Sequence, residues 1–214
     1  MGKRNKLKRF EDLKNFPNVF NGDFALPKIW KDFVMDVSGD CVLELGCGKG
    51  KYTTSLAQMF PQHNYIGMDR KGERIWVGAK FAREQGLENV VFLLGDVNNL
   101  GKYFGENTVH EIWITFPDPF PRKKQAKHRL TAPNFLEIYK KVLLPGGLVH
   151  LKTDDETLFE YSLETLQNCG GKILKALANV YQEENLDPVL QIQTDFEKKH
   201  LAKGKKIYYF VASF

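Results

Sequence analysis

The sequence predicts an α/β protein in which helices cover both faces of a mostly parallel β-sheet. From residue 41 onward, short runs rich in β-branched and aromatic residues alternate with helical stretches. The first run, CVLEL at residues 41–45, has the apolar character of a buried strand. Strand–helix alternation of this kind is typical of a parallel sheet covered on both sides. At 214 residues, the chain has room for one such domain with a modest extension.

Seven runs are predicted to be strands, and four stretches between them are predicted to be helices. The strands fall at residues 41–45, 64–69, 90–96, 109–116, within 144–154, near 172–180 and at 206–214. The first helix follows the glycine-rich turn after residue 45 and stops at Pro61. The other three cover residues 74–85, 133–143 and 156–171. We expect a basic N-terminal extension at residues 1–40, a domain at residues 41–214, and a polar loop at residues 182–206.

Composition and charge exclude several classes of protein. Hydrophobic residues make up 43% of the chain, which is enough to bury a core and argues against global disorder. The formal net charge of +5 is concentrated at the N-terminus and in residues 122–129 and 198–206, which favours an anionic partner. Apolar runs are too short for a membrane helix, and the basic N-terminus leads into a polar stretch rather than an apolar signal core.

Cysteine usage indicates a reducing compartment. The three cysteines, Cys41, Cys47 and Cys169, are odd in number and show no CxxC spacing. A disulfide framework or a zinc site is therefore not expected, and we predict no metal. The expected location is the cytoplasm.

A glycine-rich turn follows the first predicted strand. Glu44 lies inside that strand, and Gly46, Gly48 and Gly50 follow it with GxGxG spacing. Glycines at this place let a ligand approach the backbone, and the N-terminus of the next helix offers unpaired N–H groups. The position where a dinucleotide fingerprint has its third glycine is Lys51, which disfavours NAD.

Four carboxylates fall at the carboxyl ends of predicted strands, where open α/β sheets bind ligands. They are Glu44, Asp69, Asp96 and Asp118. A carboxylate at Asp69 suits two ribose hydroxyls, and one at Asp96 suits an adenine amine. We therefore predict a nucleoside site, and the acidic surroundings favour the positively charged S-adenosylmethionine over a pyrophosphate. The alternative for each acid is that it only starts a loop.

The stretch FPDPFPRKKQAKHR at residues 116–129 places one aspartate between two prolines and a cationic segment after it. Each proline fixes its own φ and restricts the residue before it, so Asp118 is predicted to be held rigidly. Five of the eight residues from Arg122 to Arg129 are lysine or arginine. Such a segment beside a candidate active site would bind phosphates, the alternative being a solvated loop.

These residues together resemble a known family. ELGCGKG, YIGMD, the FPDPFP stretch with its basic residues, HLKTDDETLFEYS and QTDFE are similar to motifs of the bacterial single-chain tRNA (guanine-N(7)-)-methyltransferases, from roughly Phe24 to the C-terminus. The resemblance implies a Rossmann-like class I methyltransferase fold with seven strands, the last one antiparallel. It also implies methylation of guanine 46 at N7 in the tRNA variable loop, with S-adenosylmethionine as the donor.

The resemblance further implies roles for individual residues. Catalysis falls on Asp118. Cofactor contacts fall on Glu44, Gly46, Asp69, Asp96 and Asp118. Substrate contacts fall on Arg122, Asp154, Thr194, Asp195, Phe196 and Glu197, and tRNA contacts on Lys123, Lys124, Lys127, His128 and Arg129. A capping box, with Thr194 as the N-cap and Glu197 three residues later, is compatible with a substrate role.

Three other functions stay open: a class I methyltransferase acting on another RNA or a small molecule, a non-catalytic RNA-binding protein on the same scaffold, and an NAD dehydrogenase. The basic segment disfavours a small-molecule substrate, and the intact set of carboxylates disfavours a purely RNA-binding role. We expect tRNA as the partner, with no membrane and no obligate protein partner. Both a monomer and a homodimer are compatible with the sequence.

Overall fold

The sheet has eight strands in the part of the chain that the computed structural model describes, residues 3–34 and 39–214. Residues 1, 2 and 35–38, which belong to the predicted N-terminal extension, lie outside the described residues, and side chains are described from Lys8 onward. The strands are β1 (Val19–Asn21), β2 (Cys41–Leu45), β3 (Asn64–Asp69), β4 (Val90–Leu94), β5 (Val109–Thr115), β6 (Leu143–Thr153), β7 (Lys172–Leu177) and β8 (Tyr208–Ser213).

The strands lie in the order β1-β4-β3-β2-β5-β6-β8-β7. All pairs from β1 to β6 are parallel, and β8 is inserted antiparallel between β6 and β7. The predicted fold class, a mostly parallel sheet whose last strand is antiparallel, is therefore confirmed. The predicted number of strands was one too few, because β1 has only three residues and gave no recognisable pattern. It pairs with β4 through Val19 opposite Phe92.

Eight α-helices surround the sheet in the described residues. They are α1 (Lys3–Leu13), α2 (Lys28–Val34), α3 (Lys51–Met59), α4 (Gly72–Glu84), α5 (Leu100–Tyr103), α6 (Pro133–Val142), α7 (Glu156–Asn168) and α8 (Asp195–Leu201). Alternate residues of β2 face opposite sides: Val42 packs with α1, α3 and α4, whereas Leu43 and Leu45 pack with α2, α5, α6 and α7. Helices thus cover both faces, as predicted. No helix of the described residues is long and apolar enough to cross a membrane.

The segment at residues 182–206 is not the polar loop that we expected, because it contains a 3₁₀-helix (Pro188–Gln191) and α8. The hydroxyl of Thr194 accepts a hydrogen bond from the Glu197 backbone N–H at 3.1 Å, so the predicted N-cap is confirmed. The side chain of Glu197 does not return to the cap but enters the core. The capping box indicated where α8 begins but not how far it extends, because the helix has only two turns and little apolar periodicity.

The strand order brings the predicted site residues to one edge. The chain runs outward from β2 to β3 and β4, then crosses back to β5 and β6 on the other side of β2. The order therefore reverses between β2 and β5, which is where ligands bind to open α/β sheets. Five adjacent strands, β4, β3, β2, β5 and β6, each carry a predicted carboxylate at or just beyond their carboxyl ends. We call this the ligand edge.

Candidate active site

The glycine turn, Gly46–Gly50, lies at the ligand edge directly after β2. Gly46 and Gly48 have φ values of 71° and 56°, a region that residues with a side chain rarely adopt. A Cβ built on Gly46 would meet no heavy atom of the described residues within 4 Å, so the space above the turn is open. The Gly48 N–H donates to Asp69 Oδ2 at 2.9 Å, which ties the turn to the end of β3.

Glu44 lies beneath the glycine turn and is only 2% exposed. Its Oε2 accepts hydrogen bonds from the Thr53 backbone N–H at 2.9 Å and from the Thr53 hydroxyl, and its Oε1 accepts one from Thr115 Oγ1 at 2.6 Å. Burial raises the pKa of Glu44 to about 7, although the bonds from Thr115 and Thr53 oppose the rise. Glu44 thus joins the start of α3 to the end of β5, and its direct contact with a cofactor stays a prediction.

Asp69 ends β3 and Asp96 closely follows the neighbouring strand β4, and backbone N–H groups orient both carboxylates. Asp69 Oδ1 accepts a hydrogen bond from the Lys71 N–H at 2.8 Å. Asp96 Oδ1 accepts two from Asn98, and its Oδ2 lies 3.4 Å from Arg70 Nε. Burial raises the pKa of Asp96, but the bonds from Asn98 and the charge of Arg70 outweigh it and hold the pKa below its ordinary value. Asp96 is therefore an ionised acceptor at neutral pH.

The proline loop, residues 116–121, follows β5 and carries Asp118. The Phe116 N–H donates to the Lys152 carbonyl at 2.7 Å, which extends the β5–β6 ladder by one step. Phe116 and Phe120, each directly before a proline, have φ values of 50° and 44° rather than the extended conformation usual there. Such strain persists only where the surroundings impose it. The Asp118 side chain is exposed and forms no hydrogen bond or ion pair with any described residue.

The basic segment, residues 122–129, follows the proline loop and includes a 3₁₀-helix at Lys123–His128. Five of its side chains are exposed, namely those of Arg122, Lys123, Lys124, Lys127 and His128. The His128 ring lies 5.7 Å from the ring of Phe120, so the segment packs against the loop. Within the described part of the chain, no carboxylate pairs with the three lysines, and their charges face solvent.

Arg129 differs from the rest of the basic segment because it is only 5% exposed. Its Nε donates to the Pro119 carbonyl at 3.0 Å, and its Nη2 donates to the Phe120 carbonyl at 3.1 Å. The guanidinium carbon lies 4.3 Å from the ring centre of Tyr161 on α7. The structure therefore places this predicted tRNA contact against the proline loop, where it is buried, unlike the exposed lysines.

The TDFE box, residues 194–197, connects the two sides of the site. Asp195 Oδ2 lies 2.9 Å from Lys49 Nζ in the glycine turn, and this bond lowers the pKa of Asp195. Phe196 is 45% exposed, and its ring lies 5.3 Å from the ring of Phe116 in the proline loop. The start of α8 thus contacts both the glycine turn and the proline loop.

Glu197, the last residue of the TDFE box, is fully buried. Its Oε1 lies 2.7 Å from Lys152 Nζ on β6 and accepts a hydrogen bond from the Tyr181 hydroxyl at 2.7 Å. Lys152 also donates to the carbonyls of Leu190 and Ile192. The carboxylate therefore faces the core and anchors α8 to β6, and its contact with substrate stays a prediction.

Asp154 is likewise held by protein side chains. Its Oδ2 lies 2.7 Å from His200 Nδ1 and 2.5 Å from Lys205 Nζ. Burial raises the pKa of Asp154, but Lys205 and His200 outweigh it and hold the pKa below its ordinary value. The His200 ring also stacks on Phe196 at 4.0 Å between ring centres. Asp154 therefore fixes α8 against the end of β6.

Sequence reasoning missed several residues that complete the site. They are Lys49, Thr53, Thr115, Lys152 and His200. A lysine inside a buried strand, as in HLKTD, signals that a carboxylate partner has to lie nearby. The two threonines gave no signal, because they lie 9 and 71 residues from their partner Glu44.

The ligand edge fits S-adenosylmethionine. Asp69 and Asp96 present oriented carboxylate acceptors for hydroxyl and amine groups, and the space above Gly46 is open to a ligand. The acidic surroundings suit a positively charged sulfur better than a phosphate. Together with the mostly parallel sheet and its antiparallel insertion, this edge defines a class I S-adenosylmethionine-dependent methyltransferase.

Solved structures agree with this class. The chain is similar to the 16S rRNA methyltransferase KamB, with a TM-score of 0.68 and 15% identity over 89% of this chain and 95% of that chain. It is also similar to a SAM-dependent methyltransferase from Aquifex aeolicus, with a TM-score of 0.57 and 19% identity over 87% of both chains. At these identities, the likeness shows the fold.

Sequence relatives are more specific. The profile of a family described as "Putative methyltransferase" matches residues 38–210. The tRNA (guanine-N(7)-)-methyltransferase of Christiangramia forsetii is 44% identical, over 98% of this chain and 97% of the relative. The protein of the same name from Cytophaga hutchinsonii is 39% identical, over 99% and 98% of the two chains. The chain therefore belongs to the tRNA (guanine-N(7)-)-methyltransferase family, which confirms the resemblance found in the sequence.

Proposed function

We propose that the protein transfers a methyl group from S-adenosylmethionine to N7 of a guanine in tRNA. The observation that carries this proposal is the carboxylate of Asp118. It is exposed, has no protein partner among the described residues, and lies on a strained loop where the strand order reverses. A nucleoside above the glycine turn and a polyanion on the basic segment would meet at this residue. The relatives named for this reaction support the choice of substrate.

The cofactor is held from the ligand edge. S-adenosylmethionine, when bound, supplies a methyl group on a positively charged sulfur. Asp69 would accept hydrogen bonds from the ribose hydroxyls and Asp96 one from the adenine amine, while Gly46 leaves the backbone open to the ligand. Glu44 acts from below, because its bonds to Thr53 and Thr115 fix the two sides of the site relative to each other.

Asp118 contributes position and electrostatic field rather than proton transfer. Guanine N7 carries a lone pair and no proton, so the reaction requires no general base. A rigid carboxylate beside the base accepts hydrogen bonds from the Watson–Crick edge of guanine and favours the positive charge that develops on the purine. The strained φ values on both sides of Asp118 fit a residue that is held in place before the substrate arrives.

The TDFE box and its neighbours would contact the target nucleotide. Phe196, about half exposed, offers an aromatic ring for the purine, and Arg122 offers a cation. Thr194 and Asp195 lie at the same helix start and add polar groups. Asp154 and Glu197 act differently, because their ion pairs hold α8 where its first turn can face the substrate.

The tRNA would lie across the basic segment, with its variable loop over Asp118. Lys123, Lys124 and Lys127 are exposed and carry charges that bind phosphates. We place the target guanine at position 46, the methylation domain at residues 41–214, and the reaction in the cytoplasm. The protein acts without an obligate protein partner, as a monomer or a homodimer.

Two tRNA transcripts test the position of the target. One carries guanine at position 46 and the other carries adenine there, and both are incubated with the protein and labelled S-adenosylmethionine. We expect label only in the guanine-46 transcript. Equal labelling of both transcripts would reject position 46. If neither transcript is labelled although calorimetry detects S-adenosylmethionine binding, the proposed reaction is wrong and the protein methylates a different substrate.

A further inference from the structure

We infer that Arg129 is a positioning residue that holds the proline loop, and hence Asp118, rather than a phosphate contact; the inference rests on the proposed function. Its guanidinium donates to the carbonyls of Pro119 and Phe120, the two residues that directly follow Asp118. Its side chain is almost completely buried. A phosphate would have to displace the loop in order to bind it.

The proline loop needs a donor from outside. Prolines at positions 117, 119 and 121 have no backbone N–H, so the five residues from 117 to 121 carry only two such donors. The loop therefore has few hydrogen bonds available for holding its own shape, although the residues before two of these prolines adopt strained positive φ values. Arg129 supplies donors to two successive carbonyls from a position ten residues further along the chain.

An arginine is required by the geometry of these contacts. A guanidinium is planar and presents several N–H donors in fixed directions, whereas an ammonium group is a compact point charge. The guanidinium also lies over the ring of Tyr161, a residue of α7, so it connects the loop to a helix packed on the sheet. The Arg129 backbone is fixed as well, because its N–H donates to the Ala126 carbonyl at 3.0 Å.

The basic segment thus carries two functions on two sides. The exposed side, with Lys123, Lys124 and Lys127, faces solvent and is available to phosphates. The buried side presents Arg129 to the proline loop. Binding of RNA on one side and placement of Asp118 on the other thus fall to different residues of the same short stretch of chain.

Arg129→Lys separates the two roles, because it keeps the positive charge and removes the planar donors. We expect turnover at saturating tRNA to fall about 10- to 100-fold, since small misplacement of a catalytic group has effects of this size. The tRNA dissociation constant and its salt dependence should match those of the unaltered protein. Lys124→Ala is the contrasting variant and should give a shallower salt dependence. Lys141→Ala, on an exposed position of α6, is the control and should change neither quantity.

Normal turnover of Arg129→Lys, or a salt dependence changed as in Lys124→Ala, would overturn the inference. The rate of trypsin cleavage after Arg122, Lys123 or Lys124 gives a readout that does not depend on activity. This cleavage should be faster in Arg129→Lys than in the unaltered protein. An unchanged rate would overturn the inference, whether or not the unaltered protein forms 7-methylguanosine. Absence of that product in the unaltered protein would reject the proposed function instead. If Arg129→Lys does not fold, Tyr161→Leu replaces it; slower turnover with intact salt dependence supports the inference, and normal turnover overturns it.

Discussion

At the ligand edge, Asp118 differs from the other carboxylates because no described protein group uses its acceptor capacity. Glu44 is enclosed by two threonines, and Asp96 is bound by Asn98 and Arg70. An exposed carboxylate on a strained loop keeps both of its oxygens for a ligand and is already oriented when the ligand arrives. The charge and position of this one residue are therefore the features of the site that catalysis would depend on most.

Asp118→Asn removes the charge and keeps the size of the side chain. We expect kcat to fall by about 100-fold or more, the size of effect seen when one preorganised electrostatic group is removed. Binding of tRNA should change little, because the basic segment is untouched. Single-turnover kinetics and a binding titration would measure both quantities. The control is Glu106→Gln, an exposed carboxylate that precedes the amino end of β5 and so lies at the opposite edge of the sheet. Near-normal kcat would remove Asp118 from the mechanism.

Glu44 gives a prediction about pH, because its folded-state pKa of about 7 lies above the ordinary value of 4.5. Between these values, the folded protein holds a proton that the unfolded chain has released. The resulting contribution to stability is complete below pH 4.5 and is lost as the pH rises through about 7, by at most about 3 kcal/mol.

Glu44→Gln should therefore abolish this loss. Urea unfolding at about pH 5 and about pH 8, on either side of the folded-state pKa, would compare the variant with the unaltered protein and with Glu106→Gln, an exposed control. The difference in unfolding free energy between the two pH values should be smaller in Glu44→Gln alone. The same difference in all three proteins would show that Glu44 is not protonated in the folded state.

Among the elements, α8 links parts of the active site that are distant in sequence. Its first turn contacts the glycine turn through Asp195 and Lys49, and the proline loop through Phe196. Beneath it, Glu197 pairs with Lys152 in a completely buried contact. A helix of seven residues is marginal by itself, so these tertiary contacts are what stabilise it.

Glu197→Leu tests the anchor of α8. It leaves the ammonium group of Lys152 buried without its counter-ion, and we expect a loss of about 3–5 kcal/mol in unfolding free energy. The double change Lys152→Met with Glu197→Leu should recover part of the loss, because both charges are then gone. Recovery stays incomplete because the carbonyls of Leu190 and Ile192 lose their donor. Equal stability of the single and double variants would contradict a coupled pair.

The long elements were predictable from the sequence, and the partners of individual side chains were not. Strands β2 to β6 follow from local patterns of apolar residues, and their carboxyl ends follow from the strand order of an α/β sheet. β1 was missed, and only the start of α8 was indicated, because short elements carry little pattern. The burial of Glu197 and Arg129 depends on Lys152 and on the proline loop, and local sequence does not show which face of a turn packs inward. The N-cap at Thr194 was predictable because its donor lies three residues away.

At the scale of the whole molecule, a row of carboxylates at the ligand edge lies beside a group of exposed lysines. The carboxylates of β2 to β5 lie at the carboxyl ends of their strands, and the exposed lysines of the basic segment come directly after the proline loop. An acidic pocket beside a basic surface fits a cationic cofactor next to a polyanionic substrate. The net charge of +5 then favours association with nucleic acid in general.

Replacing Lys123, Lys124 and Lys127 by alanine removes three positive charges and should weaken tRNA binding. The slope of log association constant against log salt should flatten by about 0.7–0.9 for each tRNA phosphate that these lysines no longer neutralise. The control neutralises Lys141, Lys172 and Lys175, which are exposed on α6 and β7. Filter binding at several salt concentrations measures the slopes. Identical slopes for the two triple variants would mean that the basic segment is only a solvated surface.

The central claim is that this chain methylates guanine N7 in tRNA, and nucleoside analysis tests it most directly. Unmodified tRNA is incubated with the purified protein and labelled S-adenosylmethionine, digested to nucleosides and separated. We predict that the label appears in 7-methylguanosine. Label in any other nucleoside, or no label although the protein binds both S-adenosylmethionine and tRNA, would contradict the claim.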